Sequence, residues 1–168
     1  MSYEITRHNK NRGYMRLIVW QKALELFTLA CAMVPKDRHL DFKLRSQLLD
    51  SVQSISANIA EGYGRRSINE YVQHLYIALG SAAEALTRMI GLNRAGEIVD
   101  ARAAQFDTLH FEVENRLLRL VDKLEQKKDQ GDWIARISED PEEYDPAPWV
   151  ESESSPSLHH STTPSPQS

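Results

Sequence analysis

The sequence predicts an all-α fold: an up-down-up-down antiparallel four-helix bundle with a disordered C-terminal tail. Three observations carry that prediction. Apolar residues recur at steps of three and four in four successive segments. The links between those segments are short and hold proline, glycine or capping residues, which favours antiparallel neighbours. No stretch alternates apolar and polar residues as a half-buried strand would, and no repeat of solenoid length is visible.

The first segment places Leu17, Trp20, Leu24, Phe27, Cys31 and Val34 on one stripe. Pro35 ends it, because proline has no amide proton and clashes with the preceding turn. Cys31 lies on the stripe, so its thiol is expected to be buried and inert. The second segment runs from about Asp41 to Gly62, with Leu44, Leu48, Val52, Ile55 and Ile59 on one face. Ser51, Ser54, Ser56, Ala57 and Ala60 make it unusually small, so a neighbour can approach closely. Gly62 and Gly64 are expected to end it in the left-handed conformation.

The third segment opens on Ser67-Ile68-Asn69-Glu70, a capping box in which the Ser67 and Glu70 side chains satisfy each other's amides. Its stripe is Ile68, Tyr71, Leu75, Ala78, Ala82, Leu86 and Met89, and Gly80, Ala78, Ala82 and Ala85 suggest tight contact. Gly96 followed by Ile98 reads as a helix stop with its hydrophobic clamp. The fourth segment starts near Asp100 as N-cap and carries Phe106, Leu109, Val113, Leu117, Leu120 and Leu124. Leu118 and Val121 add a second apolar edge, which hints at a partner subunit.

Beyond about Gln130 the periodicity stops. Pro141, Pro146, Pro148, Pro156, Pro164 and Pro166 punctuate a serine- and acid-rich run that cannot bury enough apolar surface to offset its ordering entropy. The expected organisation is a flexible basic arm over 1–15, the bundle over 16–130 and an acidic Pro/Ser-rich tail over 131–168. Residues 1–130 carry 19 Lys and Arg against 16 Asp and Glu, a balance of +3. Residues 131–168 carry one against eight, a balance of −7, which brings the chain to −4. Such asymmetry speaks to partners and solubility, not to fold.

No apolar run approaches the roughly 20 residues that span a bilayer, and MSYEITRHNKNRGYMR has no signal-type apolar core. One cysteine forms no internal disulfide. The expected location is cytoplasmic, with no membrane partner.

The most informative run is Ser54–Arg66, SISANIAEGYGRR, followed at once by SINEY. Asn58 and Glu61 share a helix face, and Arg65 or Arg66 can fold back onto Glu61 or Glu70. Asn58, Glu61, Ser67 and Glu70 read as a polar clasp fixing a helical hairpin or a contact across a ring interface; the arginines read alternatively as phosphate contacts. In the arm, Arg7, Lys10, Arg12, Arg16 and Lys22 occur with no acid between Ile5 and Leu24, and Tyr3 and Tyr14 add stacking surfaces. Cations interleaved with aromatics suit RNA backbone contact and base stacking. Lys123, Lys127 and Lys128 complement the dipole of the fourth helix.

An enzymatic reading finds no support. A di-metal carboxylate bundle needs Glu-x-x-His motifs on facing helices. Glu70 and His74 are four apart, as are His110 and Glu114, a spacing that suits solvated neighbours. Gly62-Tyr63-Gly64 is too short for a phosphate loop and follows a helix. No catalytic residue, metal, cofactor or small-molecule substrate is expected.

The same residues resemble a known family. Leu17-Ile18-Val19-Trp20-Gln21-Lys22-Ala23 looks like its first-helix signature. Gln47, Ser54-Ile55, Asn58-Ile59-Ala60-Glu61-Gly62, Arg66-Ser67, Glu70, Ala78, Gly80-Ser81 and Glu84 follow its central pattern. The chain resembles, over about residues 15–125, the four-helix-bundle proteins encoded in 23S rRNA intervening sequences. It is similar in fold to the accessory variability determinant of diversity-generating retroelements. The resemblance implies a ring, a homopentamer by expectation; retroelement relatives bind nucleic acid and a reverse transcriptase. The acidic tail and the modest +3 of the body depart from that pattern. The reading reached is a non-enzymatic, ring-forming bundle acting as an RNA- or ribonucleoprotein-associated adaptor, with the acidic tail screening its cations. The alternative is a protein-interaction scaffold without nucleic-acid binding.

Overall fold

A computed structural model of the protein describes residues 10–35, 40–65 and 67–131. Four α-helices make up the fold: α1 (Ile18–Met33), α2 (Phe42–Tyr63), α3 (Ile68–Arg94) and α4 (Asp100–Asp129). A 3₁₀ segment, Lys10–Arg16, precedes α1. The described residues contain no strand. The acidic tail from Asp132 onward lies outside the described residues.

Each helix packs on two others. α2 lies against α1 and α3, and α4 closes the set against α3 and α1. Contacts at the two ends of α2 and α3 link Asn58 with His74 and Gln47 with Arg88. As one number rises the other falls, so these helices run in opposite senses. Ala82 with His110 and Tyr76 with Glu125 show the same for α3 and α4. One core runs the length of the bundle and includes Leu26, Leu48, Ile55, Ile59, Leu75, Phe106 and Leu117.

The helix ends show which local signals prevailed. Asp41 caps α2, its carboxylate accepting from the amides of Lys43 at 2.9 Å and Leu44 at 3.2 Å. The last carbonyls of α1 are met from other helices: Arg45 Nε donates to Val34 O at 2.7 Å and Arg102 Nη1 to Ala32 O at 3.0 Å. Gly96 takes φ +78°, and Glu97 N and Ile98 N return to Leu92 O while Ile98 is buried. The stop expected there is present, clamp included.

Several expectations are corrected. Of the stripe read from sequence only Val34, just past α1, is fully buried; the helix itself buries Val19, Ala23, Leu26, Ala30 and Met33. Leu17, Trp20 and Phe27 flank that face, Leu24 is exposed and Cys31 is half-buried. α1 is apolar nearly all round, so two stripes fit the same period, and the one with alanines allows closer packing. Leu44 is exposed on the first turn of α2, ahead of the buried stretch that begins at Leu48. Gly64 caps α2 at φ −75°, not in the left-handed region. A Cβ at Gly80 would meet open space, whereas Ala78, Ala82 and Ala85 are buried.

Ser67 occupies the N-cap of α3 in extended conformation, but its hydroxyl bonds no amide of the first turn, so the capping box does not form. Val99, not Asp100, is the N-cap of α4; Asp100 accepts instead from Asn93 Nδ2 at 2.9 Å. Val121 belongs to the core while Leu118 is exposed, which splits the expected second edge. His110 is not a solvated neighbour of Glu114: it is buried beside Phe106, and its ring nitrogen donates to Ala82 O at 2.8 Å.

Among the described residues α3 alone is long and apolar enough, by length and composition, to cross a membrane. In the bundle its apolar residues divide between the core and an open face.

Two glycines should respond oppositely to alanine. A Cβ on Gly62 would lie 2.7 Å from His74 Cβ and 2.8 Å from Tyr71 Cδ2, so Gly62→Ala forces α2 and α3 apart. It is expected to destabilise by about 1–3 kcal/mol despite better helix propensity. Gly80→Ala meets open space and should stabilise by about 0.5–1 kcal/mol. Urea denaturation of the two variants checks the sign of each.

Candidate interaction site at the α2–α3 tip

The run that stood out in the sequence supplies the last turns of α2 and its C-cap, Gly64. Asn58, Glu61 and Arg65 succeed one another at steps of three and four and so share one side of the helix. Arg65 Nη2 pairs with Glu61 Oε1. Asn58 Nδ2 donates to Ser54 O at 2.8 Å, which turns its Oδ1 toward His74 on α3 at 3.4 Å from Nδ1. The other His74 nitrogen stands 3.7 Å from Glu61 Oε1. His74 therefore sits between the Asn58 amide and the Glu61 carboxylate and links α2 to α3. The sequence reading weighed His74 as a metal ligand and took it for a solvated neighbour of Glu70; the register of two helices in space, invisible to local spacing, brings it here.

Ser67 and Glu70 stand at the start of α3, Ser67 half-buried and Glu70 exposed. Arg66, and with it the pairing of Arg66 with Glu70, lies outside the described residues.

Aromatic rings form the other half of the tip. Tyr63, at the end of α2, meets Tyr14 edge-on at 6.1 Å and Tyr71 at 6.0 Å; Tyr14 also meets Trp20 at 5.3 Å. These rings tie the 3₁₀ segment, α1, α2 and α3 together. Gly13 lies under the Tyr63 hydroxyl, at a place where a Cβ would fall 2.0 Å from that oxygen. Gln21 Nε2 adds a bond to Met15 O at 2.9 Å. The described part of the expected arm is thus packed on the bundle, held by Tyr14. Burial and the neighbouring Tyr63 push the Tyr71 phenol far above its ordinary range.

The candidate cations fall into two groups. Arg12 and Arg16 lie on the 3₁₀ segment, whose Tyr14 meets Tyr63 at the end of α2, two residues before Arg65. Lys10 is the first residue of that segment, and Arg7 lies outside the described residues. Lys22 is elsewhere: on α1 it bonds Glu25 Oε2 at 2.8 Å and lies 3.9 Å from Glu112 of α4, which in turn holds Arg116. The bond to Glu25 and the charge of Glu112 raise the Lys22 ammonium above its ordinary value.

A second interhelical polar contact escaped the sequence reading. Arg88 of α3 bonds Glu84 through Nε at 3.0 Å and Gln47 of α2 through Nη1 at 2.8 Å. Gln47 and Glu84 both belong to the pattern quoted above, and only the folded register shows why they occur together. Among the described residues no group of three or more His, Cys, Asp or Glu is placed to hold a metal ion.

The tip should depend on its rings more than on its ion pair. Arg65→Ala removes an exposed i,i+4 pair and should change stability by no more than about 0.5 kcal/mol. Tyr63→Ala removes the ring that joins three elements and should cost about 3 kcal/mol or more. Alkaline titration gives an independent check. Above about pH 10 the unfolded chain ionises Tyr71 while the folded chain keeps its proton, so stability falls as pH rises. Tyr71→Phe should remove part of that alkaline loss, measured as the midpoint of denaturation across pH.

Comparison with known proteins places this geometry in context. The profile of the 23S rRNA-intervening sequence protein family matches residues 15–119. The chain is similar to a protein of unknown function from the S23 ribosomal protein family of Bacteroides thetaiotaomicron VPI-5482, known from a crystal structure. The two are 24% identical with a TM-score of 0.58, over 62% of this chain and 98% of the other. No curated protein matches the chain.

Proposed function

The chain belongs to the 23S rRNA-intervening sequence protein family, and on that premise we propose that it is a non-enzymatic scaffold. It assembles with copies of itself into a ring, of five copies on the family resemblance, and presents that ring to a protein partner. One observation carries this reading. Four large apolar side chains, Tyr76 and Ile90 on α3 and Phe111 and Leu118 on α4, stand exposed on neighbouring helices. Large apolar side chains exposed on neighbouring helices mark an interaction site.

A second reading is favoured by a different feature. Arg12 and Arg16 lie on the 3₁₀ segment whose Tyr14 meets Trp20 and Tyr63, and Arg65 follows Tyr63 by two residues. Cations with aromatic neighbours suit a ribonucleoprotein adaptor, with RNA or a reverse transcriptase as partner. Against it stand the ion pairs that already engage Arg65 and Lys22, and the −7 balance of residues 131–168, which screens cationic surfaces. Neither reading uses a cofactor, a small-molecule substrate or a membrane, and both suit a cytoplasmic protein.

The deciding measurement is RNA binding across salt by the full-length chain and by residues 1–131, with mass determined on the same samples. A multi-copy species without RNA affinity at low salt is the expected result. Affinity that falls steeply with salt, is weaker for the full chain, and drops with Arg16→Glu or Arg65→Glu would replace the scaffold by the adaptor.

A further inference from the structure

The exposed apolar residues of α3 and α4 lie on the sides of the two helices that meet at one contact. Tyr76 Oη donates to Glu125 Oε1 at 2.8 Å across the two helices. Seven residues are two turns, which return to the same face. Tyr76, Ala83 and Ile90 therefore share one face of α3, and Phe111 and Leu118 share with Glu125 the face of α4 that meets it. The apolar residues of these two faces, Tyr76, Ala83, Ile90, Leu118 and Phe111, make the seam. Phe111 is 64% exposed and Leu118 45%.

The seam has an acidic border. Asp107 and Glu114 stand four before and three after Phe111, and Asp122 stands four after Leu118. Glu125 closes one end. A twofold pairing of seam on seam would set these carboxylates against their own copies, and like charges at an interface are repelled. The occupant that fits is an apolar helix face approached by cations.

The chain carries such a face on α1. α1 exposes Ile18, at 54%, with Leu24, and between them and Ala32 runs a shallow groove lined by Gln21, Leu24, Glu25, Thr28 and Ala32. Exposed Arg16 leads into it, and residues 7–22 hold five Lys and Arg without an acid. From Ile18 to Ala32 is fourteen residues, as from Tyr76 to Ile90, so both surfaces run about 21 Å.

Building on the scaffold reading, we propose that the α3–α4 seam of one copy receives the Arg16–Ala32 edge of the next. The contact is heterologous: each copy offers two different surfaces, and repetition closes a ring when the rotation permits. The acids beside Phe111 and Leu118 face the cations that enter α1, which fixes polarity and excludes the twofold dimer.

The test uses two full-length variants, each altered on one surface. Phe111→Glu with Leu118→Glu removes the seam; Arg16→Glu with Ile18→Glu removes the edge. All four positions are outside the core, and helicity by circular dichroism is followed throughout. If a double variant loses helicity, Leu118→Glu and Ile18→Glu alone carry the comparison. Light scattering should give a multi-copy wild type and each variant alone at the single-chain mass of 19.2 kDa. An equimolar mixture should give a two-copy species and nothing larger, because one intact seam meets one intact edge. If the wild type assembles and both variants keep its mass, this pairing is wrong and the scaffold reading survives. If only the seam variant dissociates, the seam takes another occupant and the pairing is again overturned. A wild type at single-chain mass overturns the scaffold reading, and this inference with it.

Discussion

The close approach of α2 to α3 at Gly62 is the constraint on which the tip depends. There the two backbones come so near that even one methyl group would meet His74 and Tyr71. That proximity puts the Asn58 amide within reach of His74. It also sets Tyr63 beside Tyr71, and Tyr63 then anchors Tyr14 and the segment before α1. The ion pair Arg65–Glu61 is a consequence of this arrangement rather than its cause, since it lies within one helix and is exposed.

The number of helices and their approximate extents were legible because period, breaks and small-residue content agree with one another. Gly96 was legible too: a left-handed glycine with an apolar residue two places on is a local signal with a local cause. Finer features failed where tertiary contact decided. α1 carries two candidate stripes, and only its neighbours select Val19, Ala23, Leu26 and Ala30. Gly62 reads as a helix stop, yet it serves as a contact point within the helix. His110 reads as polar surface, yet the carbonyl of Ala82 offers it a partner inside the core, which makes its burial tolerable.

The candidate site divides in the same manner. That Asn58, Glu61 and Arg65 lie together follows from helical spacing alone. That His74 joins them, and that Gln47 meets Arg88 forty-one residues away, follows only from helix register. The arm shows the reverse effect. Its charge pattern was plain, but its attachment depends on Tyr14 finding Trp20 and Tyr63, which no charge count reveals.

Charge placement then bears on function in a manner the total charge conceals. Asp107, Glu114, Asp122 and Glu125 follow one flank of α4, beside the exposed Phe111 and Leu118. The second, cationic surface is carried by Arg12 and Arg16 on the 3₁₀ segment and Arg65 just past α2, linked through the Tyr14–Tyr63 contact. A phosphate backbone is repelled by the first surface and attracted to the second. An assembly that pairs the α4 flank with the entry to α1 consumes part of the attractive surface in each contact, Arg16 above all. Self-association and RNA binding then draw on the same cations. A chain whose body carries only +3 has few to spare, so strengthening one activity weakens the other unless cations beyond Arg16, such as Arg65, carry the RNA.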